Sequence, residues 1–266
     1  MIRLAANIST MFGEHPFEDR IAAAAQAGFR AGECQFPYDC EAATIKSRLR
    51  ETGIPMVLMN APRGDSRRGE VGLAALPGRE AEFRDTIGRA VKYASEIGCK
   101  QLHVMAGVPA QLYDQDICRQ IFIDNIRWAA DLGKDRGIRI MIEAINRVDV
   151  PGYHLNGADD AVSVLNAVER PNVALQFDAY HSHRMGEKPV KKLLEYIGMI
   201  THIQVSGFPG RHEPLDGDIP YREFFAQVEA TGYDGWVGCE YVPKTDTVDG
   251  LDWAAEYGIG IKAHSE

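Results

Sequence analysis

Four side chains that carry a ligand oxygen lie at or near the ends of successive short apolar runs: Glu143, Asp178, Gln204 and Glu240. Neighbouring members are separated by about one βα unit of roughly 30 residues. Three carboxylates and an amide oxygen form a hard ligand set of the kind that binds Mg²⁺ or Mn²⁺. Without a cation, carboxylates this close together would repel one another and shift their protonation. The spacing therefore predicts a divalent-metal site, provided that the runs are parallel strands of one barrel.

An acidic residue after a strand also has an ordinary structural explanation. A single one more often caps the next helix or joins a salt bridge than binds a metal. Four ligand-type side chains at the same position of consecutive strands are much harder to explain in that way. We therefore interpret the set as a metal site, with capping as the alternative for each member taken alone.

Further polar side chains near the ends of apolar runs are candidate substrate contacts: Asn7, Glu33, His103, His181 and Arg211. His103 interrupts an apolar run, so a core histidine held by hydrogen bonds is its alternative interpretation. His181 can contact substrate or orient a metal ligand, and a loop surface is its alternative. Arg211 follows Gln204 closely, and a guanidinium there can bind a substrate carboxylate through two hydrogen bonds. A solvated loop arginine is the alternative for Arg211.

The elements that must position these residues follow a repeating pattern. Eight apolar runs are candidate strands: 4–8, 31–34, 56–59, 101–105, 138–142, 173–177, 201–205 and 236–239. Several of them lack in/out alternation, which is typical of parallel strands that are buried on both faces. Amphipathic segments between the strands predict helices: 16–28, 79–97, 114–136, 158–168, 190–196, 221–230 and 251–257.

Strands that alternate with helices indicate βαβ units and a parallel sheet. Eight units of about 33 residues predict an α/β protein with a single (β/α)₈ TIM barrel over residues 1–266. A doubly wound open sheet is the structural alternative, but residues 7–13 carry neither a Rossmann nor a Walker pattern. The long Gly- and Arg-rich stretch at 61–78 is a candidate mobile loop over the site.

Composition narrows the functional classes. The formal net charge of −9 repels a polyphosphate backbone, so we expect a small-molecule substrate and no nucleic-acid partner. No apolar stretch approaches the roughly 18 residues of a membrane span, and the N-terminus is too polar for a signal peptide. Five cysteines at irregular positions form no Cys-x-x-Cys pair, so we interpret them as reduced thiols of a cytoplasmic protein. Oligomeric state stays open, including a homo-oligomer.

The chain also resembles the hydroxypyruvate isomerases, which belong to the xylose-isomerase-like barrel superfamily. The similarity covers nearly the whole chain, and the motif Gly232-Tyr233-Asp234-Gly235-Trp236-Val237-Gly238-Cys239-Glu240-Tyr241 is quite specific. The other motifs are Ala5-Ala6-Asn7, Phe36-Pro37-Tyr38, residues 74–80, Leu102-His103-Val104-Met105-Ala106-Gly107, Pro151-Gly152-Tyr153, Gln176-Phe177-Asp178 with Tyr180-His181, and Pro209-Gly210-Arg211-His212-Glu213-Pro214.

The resemblance implies a barrel that interconverts hydroxypyruvate and tartronate semialdehyde, in carbohydrate and glyoxylate metabolism. It also implies that Glu143 and Glu240 both bind metal and carry protons, and that Asp178 and Gln204 are the remaining ligands. The reaction moves a proton between adjacent carbons through an enediolate. A metal polarises the substrate oxygens, and a carboxylate within reach acts as the base.

Three other functions remain as alternatives. A 2-oxo-tetronate isomerase shares much of the pattern, and departures such as Ala144 and Ser206, where relatives often carry proline and alanine, leave a three- or four-carbon substrate open. A ketose 3-epimerase can use the same two glutamates to invert a centre. An abasic-site endonuclease has the same barrel, but its chemistry calls for more histidine ligands and a basic face.

Overall fold

Eight parallel strands close into a barrel in chain order in the computed structural model, which describes residues 2–260. The strands are β1 Leu4–Asn7, β2 Gly32–Cys34, β3 Met56–Asn60, β4 Gln101–His103, β5 Arg139–Glu143, β6 Val173–Asp178, β7 Ile200–Val205 and β8 Trp236–Cys239. Pairing of β8 with β1 closes the sheet. The predicted (β/α)₈ barrel is therefore confirmed. The ends of the predicted domain, residue 1 and residues 261–266, lie outside the described residues.

Helices alternate with the strands: α1 Arg20–Gln26, α2 Ala42–Thr52, α3 Glu80–Ile97, α4 Gln115–Lys134, α5 Ala158–Val168, α6 Ala179–Arg184, α7 Pro189–Tyr196 and α8 Tyr221–Ala230. Two of them, α2 and α6, are absent from the predicted set. The buried stripe of α2 is sparse, with Ala42, Ile45 and Leu49, and α6 has fewer than two turns. The helix predicted at 251–257 is a 3₁₀ helix, Asp252–Tyr257.

The two longest helices begin and end where their sequences provide caps. The carboxylate of Asp114 accepts hydrogen bonds from the backbone N–H groups of the first turn of α4. Gly98 ends α3 in the left-handed conformation, with φ of 78°. Both helices bury an apolar stripe, which includes Ile87 on α3 and Phe122 on α4. Burial of each such side chain contributes about 1.5–3 kcal/mol to stability.

The core combines apolar side chains of strands and helices, and a second small cluster comes from strands alone. Leu58, Met141 and Ala174 of β3, β5 and β6 form that cluster. The carboxyl-terminal halves of several strands bury polar side chains instead, among them Gln176 and Gln204. The interior of the barrel therefore changes from apolar to polar towards the carboxyl ends of its strands, where a polar ligand can bind.

The segment 61–78 after β3 is fastened to the chain that follows β4. Gly72 forms an antiparallel bridge with Ala106, and the Ala75 N–H donates to the Ala106 carbonyl at 2.8 Å. Leu73 is buried. The exposed part is the tip around the 3₁₀ helix Ser66–Arg68.

Among residues 2–260, no helix combines the length and apolar character that a membrane span requires.

Candidate active site

The four predicted metal ligands lie at the carboxyl ends of neighbouring strands. Glu143 ends β5, Asp178 ends β6, and Gln204 stands one residue before the end of β7. Glu240 follows the last residue of β8 directly. All four are buried, with exposed fractions between 2% and 7%. The structure therefore brings together the residues that the strand spacing predicts, at the end of the barrel where active sites of this fold lie.

A network of side-chain amides connects the carboxylates of the site; we call Asn7, Gln35, Gln176 and Gln204 the amide network. Gln176 donates from Nε2 to Glu143 Oε2 at 3.0 Å and to Gln204 Oε1 at 2.6 Å. Gln204 donates from Nε2 to Glu33 Oε1 at 2.8 Å. Because an amide donates only from nitrogen, these contacts fix the orientation of the Gln204 amide, with its nitrogen towards Glu33 and its oxygen towards Gln176, which also binds Glu143.

The other half of the amide network holds Glu240. Its Oε1 accepts a hydrogen bond from Gln35 Nε2 at 2.9 Å and a longer one from Asn7 Nδ2 at 3.4 Å. Asn7 also donates to Glu33 Oε1 at 2.9 Å. Asn7, a candidate substrate contact, therefore lies at the site with its amide nitrogen directed at two carboxylates.

Glu33 is a fully buried carboxylate that supports the amide network. Beyond its bonds to the amides of Asn7 and Gln204, its Oε2 lies 2.5 Å from His202 Nε2. A Cβ on Gly238 of β8 would lie 2.0 Å from the same oxygen. Glycine at this position therefore leaves the space that the carboxylate occupies.

Asp178 has a structural role and a site-facing role at once. Its Oδ1 accepts hydrogen bonds from the N–H groups of Tyr180 and His181, at 2.7 and 3.2 Å, and so caps α6. Its Oδ2 lies 3.3 Å from an Arg211 nitrogen. The capping alternative for an acidic residue after a strand thus holds for one oxygen, and the other oxygen remains directed at the site.

Arg211 brings a guanidinium into the ring of carboxylates. Its Nη2 donates to Glu240 Oε2 at 2.6 Å and to Asp178 Oδ2 at 3.3 Å, and its Cζ lies 4.7 Å from the centre of the Tyr180 ring. Burial alone would lower the pKa of Arg211, but the Glu240 and Asp178 carboxylates outweigh it and raise the pKa. The prediction that Arg211 belongs to the site, and not to a solvated loop, matches this position.

His103 lies in the wall of the site. It is buried, its Nδ1 is 3.5 Å from Glu143 Oε2, and neither ring nitrogen has a hydrogen-bond partner among the described residues. Burial, together with the neighbouring His181 and His202, lowers the pKa of His103 to about 3. The imidazole is therefore neutral, with a free nitrogen next to Glu143.

His181 faces two of the predicted metal ligands. Its Nε2 lies 3.9 Å from Glu143 Oε1 and 3.8 Å from Asp178 Oδ2, and its other ring nitrogen contacts Asn146 at 2.6 Å. Burial, together with the Arg211 cation, lowers the pKa of His181 to about 3. The loop-surface alternative is wrong for this residue, because its side chain is about 6% exposed.

Comparison with known proteins identifies the family. The sequence profile of the xylose isomerase-like TIM barrel family matches residues 21–257. The chain belongs to this family. A 2-oxo-tetronate isomerase of Cupriavidus necator is 46% identical over 97% of this chain and 99% of its own. The hydroxypyruvate isomerase of Escherichia coli is 38% identical over 97% of this chain and 100% of its own. The predicted isomerase is thereby confirmed.

A solved structure resembles this xylose isomerase-like barrel over nearly its whole length. The crystal structure described as an AP endonuclease, family 2, from Brucella melitensis superposes with a TM-score of 0.94 at 42% identity, and the match covers 97% of this chain and 99% of that one. That description names a nuclease, whereas the two full-length relatives are named as isomerases.

The donor set of this family member fits a divalent cation. Burial raises the pKa of Glu143 well above its ordinary value, and the Glu240 and Asp178 carboxylates raise it further. Glu143 Oε1 is buried without a hydrogen-bond partner in the described part of the chain. A cation would satisfy that oxygen and remove the repulsion. The Glu143 and Asp178 carboxylates and the His181 ring each have a polar atom within 4.8 Å of the others, so these three side chains line one small space.

Proposed function

We propose that this isomerase interconverts the aldose and ketose forms of a short sugar acid, with hydroxypyruvate and tartronate semialdehyde as the first candidate pair. The pair of buried glutamates at the ends of β5 and β8, within one ring of carboxylates, carries the proposal. A proton taken from C3 of hydroxypyruvate gives an enediolate, and a proton returned to C2 gives the aldehyde. The hydroxyl proton passes from the oxygen on C3 to the oxygen on C2, so the atoms balance.

The proposed metal ligands are Glu143, Asp178, Gln204 and Glu240, with Mg²⁺ as the first candidate ion and Mn²⁺ as the second. A bound divalent cation supplies Lewis-acid polarisation of the substrate carbonyl and hydroxyl oxygens. The amide network orients the Gln204 oxygen, and the cap on α6 leaves one Asp178 oxygen for the site.

The proposed proton carriers are Glu143 and Glu240, which come from strands three places apart in the closed barrel. Burial raises the pKa of both carboxyls, and a base works best when its pKa approaches the working pH. Arg211 is the proposed partner of the substrate carboxylate, because its guanidinium lies among the site residues and can bind two oxygens at once. His103, His181 and Asn7 complete the proposed substrate contacts.

A four-carbon substrate is the second candidate. It is favoured by the relative from Cupriavidus necator, which is named a 2-oxo-tetronate isomerase and is 46% identical over the full chain. The same metal ligands and the same two glutamates serve either acid, because the extra carbon lies outside the bond rearrangement. We propose a cytoplasmic enzyme of small-molecule carbohydrate metabolism in either case.

A nuclease is the alternative from another class, since the 42% identical solved structure is described as an AP endonuclease. The net charge of −9 disfavours an extended phosphate backbone. The proposed ligands are mainly carboxylate oxygens, whereas the nuclease chemistry calls for more histidine ligands. The nearby His103 and His181 are buried and neutral.

The deciding experiment is proton NMR of hydroxypyruvate in D₂O with protein loaded with Mg²⁺ or Mn²⁺. We expect tartronate semialdehyde to appear, with deuterium at C2 if the transferred proton exchanges with solvent. Turnover of a four-carbon 2-oxo acid without turnover of hydroxypyruvate would move the assignment to the tetronate isomerase. Inertness towards both acids together with nicking of abasic-site DNA would overturn the isomerase proposal.

A further inference from the structure

The orientation of the Asn146 side chain is fixed by backbone groups. Its Oδ1 accepts hydrogen bonds from the N–H groups of Val148 at 3.0 Å and Asp149 at 2.8 Å. A backbone N–H can only donate, so the atom that accepts both bonds must be the amide oxygen. The amide nitrogen of Asn146 therefore points in the other direction, towards His181 and the Asp149 carboxylate.

His181 Nδ1 consequently faces donors alone. Asn146 Nδ2 lies 2.6 Å from it, and the backbone N–H of Asn146 donates to it at 3.4 Å. A hydrogen on Nδ1 would collide with both donors, so Nδ1 must carry its lone pair. A neutral imidazole with a bare Nδ1 holds its proton on Nε2.

We infer that Asn146 is a positioning residue that holds His181 as the neutral Nε2–H tautomer, so that His181 donates a hydrogen bond to a substrate oxygen and is not a metal ligand. Nε2 lies 3.9 Å from Glu143 Oε1 and 3.8 Å from Asp178 Oδ2. These distances are too long for a hydrogen bond to either carboxylate, so the N–H remains available to a third group between them. A metal would need the lone pair that this tautomer lacks.

A further carboxylate, that of Asp149, keeps the Asn146 side chain in place. Asp149 Oδ2 accepts hydrogen bonds from Asn146 Nδ2 at 2.9 Å and from the Tyr180 hydroxyl at 3.0 Å. The ring of Tyr180 in turn lies against the Arg211 guanidinium. Asp149 therefore holds, through two different neighbours, both the donor His181 and the cation Arg211.

A neutral donor suits the proposed chemistry. Negative charge develops on the substrate oxygens as the enediolate forms, and a fixed N–H directed at that charge lowers the barrier. This consequence rests on the proposed function, whereas the tautomer itself does not, because it follows from contacts within the protein.

The direct test is NMR of protein labelled with ¹³C and ¹⁵N at histidine, with the His181 signals identified by their loss in His181→Gln. A bare ring nitrogen resonates far from a protonated one, so the spectrum distinguishes the tautomers. We expect a protonated Nε2 and a bare Nδ1 between about pH 6 and 8. A protonated Nδ1, or an imidazolium, in the wild-type protein would overturn the inference.

A paired substitution reverses the direction of the hydrogen bond. In Asn146→Asp with Asp149→Asn, residue 146 still bonds residue 149 but presents an acceptor to His181. We expect the proton to move to Nδ1, and kcat to fall by about 10²-fold, the usual loss when one donor to a developing oxyanion is removed. Asp149→Asn alone is the matched control, because Asn146 then remains a donor and the Nε2–H tautomer should persist.

Metal affinity separates a donor from a ligand without reference to turnover. Titration of the His181→Gln protein with Mn²⁺ alone should give a dissociation constant within about threefold of wild type, because no ligand is lost. A larger loss of Mn²⁺ affinity would make His181 a ligand and overturn the inference. Because both the spectrum and the titration omit substrate, a wrong substrate class would leave these results unchanged.

Discussion

The two glutamates of the site differ in how many of their oxygens are already bound. Both oxygens of Glu240 have partners, with Asn7 and Gln35 on one and Arg211 on the other. Glu143 has an amide donor on Oε2, whereas its Oε1 has no partner among the described residues. Because this buried oxygen lacks a hydrogen-bond donor, Glu143 is the more readily protonated of the two before metal binds.

Replacement of either carboxylate by its amide tests the proton transfer. Glu143→Gln and Glu240→Gln should each lower turnover by roughly 10²–10⁴-fold, because an amide cannot accept the proton that the reaction moves. The measurement is NMR-monitored conversion in D₂O, with far-UV circular dichroism to establish that the fold persists. Glu51→Gln makes the same chemical change on the outer helix α2 and should leave turnover unchanged. Near-normal turnover in both site variants would refute the assignment of proton carriers.

Arg211 should act through binding. Arg211→Lys keeps the positive charge but removes the planar fork that binds a carboxylate through two hydrogen bonds. We expect KM for the acid substrate to rise by about tenfold, with a smaller change in kcat. Arg84→Lys is the matched control, since Arg84 also lies over an aromatic ring, that of Trp128, on the helix layer. Equal KM values for the two variants would show that Arg211 does not bind the substrate.

At the scale of residues, the sequence pattern located side chains by their place at strand ends. Glu143, Asp178 and Glu240 stand out because each follows an apolar run. Gln176 was not predicted, since it lies inside such a run, and a strand buried on both faces carries no alternation that marks its inward side. Asn146 lies in a loop, where a hydrogen bond to a distant histidine leaves no local signal.

At the scale of elements, all eight strands were predictable because buried parallel strands are short, apolar and regularly spaced. Helices were predictable where the apolar stripe was long, as in α3 and α4. The missing predictions, α2 and α6, reflect too few apolar positions in one and too few turns in the other. Helix α2 packs against α1 and α3, and α6 packs against α7 and β7. These tertiary contacts stabilise the two helices, and a local sequence pattern does not reveal them.

A substitution in β8 tests whether close packing between strands holds the site residues in place. Gly238→Ala places a Cβ 2.0 Å from Glu33 Oε2, so the buried carboxylate must shift and the amides that it holds must shift with it. We expect a loss of about 1–3 kcal/mol in the free energy of unfolding, measured by urea denaturation, and weaker Mn²⁺ binding.

The control for that variant lies on α3. An added Cβ at Gly88 has no neighbour within 4 Å, so Gly88→Ala should raise the free energy of unfolding by about 0.5–1 kcal/mol through helix propensity. Mn²⁺ affinity should not change in this control. Undiminished stability and Mn²⁺ affinity in Gly238→Ala would show that Glu33 does not depend on the space at residue 238.

At the scale of the whole molecule, acid should weaken the fold through a half-buried histidine that is neutral in the folded chain. His154 packs edge-on against Phe122 with 5.8 Å between ring centres, and burial lowers the pKa of His154 below its ordinary value of 6.5. The unfolded chain then binds a proton that the folded chain does not. The resulting stability is complete above about pH 6.5 and is lost as pH falls towards the folded pKa.

Urea unfolding at two pH values, about 7 and 5, measures this effect. We expect His154→Gln to lose less stability between them than wild type does. His15→Gln, an exchange at an exposed position, should follow the wild-type loss. Parallel losses in all three proteins would assign the acid sensitivity to other groups.

Metal binding should stabilise the entire barrel, because the proposed ligands come from four strands that are brought together only in the folded chain. A ligand that binds the folded state alone, at 100 times its dissociation constant, adds about 2.7 kcal/mol to the free energy of unfolding. For a chain of this size we expect Tm to rise by roughly 5–10 °C with Mn²⁺ or Mg²⁺, and EDTA to reverse the rise. Glu143→Gln should reduce the shift, whereas Glu51→Gln should keep it in full. An absent shift in wild type, or an equal one in Glu143→Gln, would mean that these carboxylates do not hold the cation.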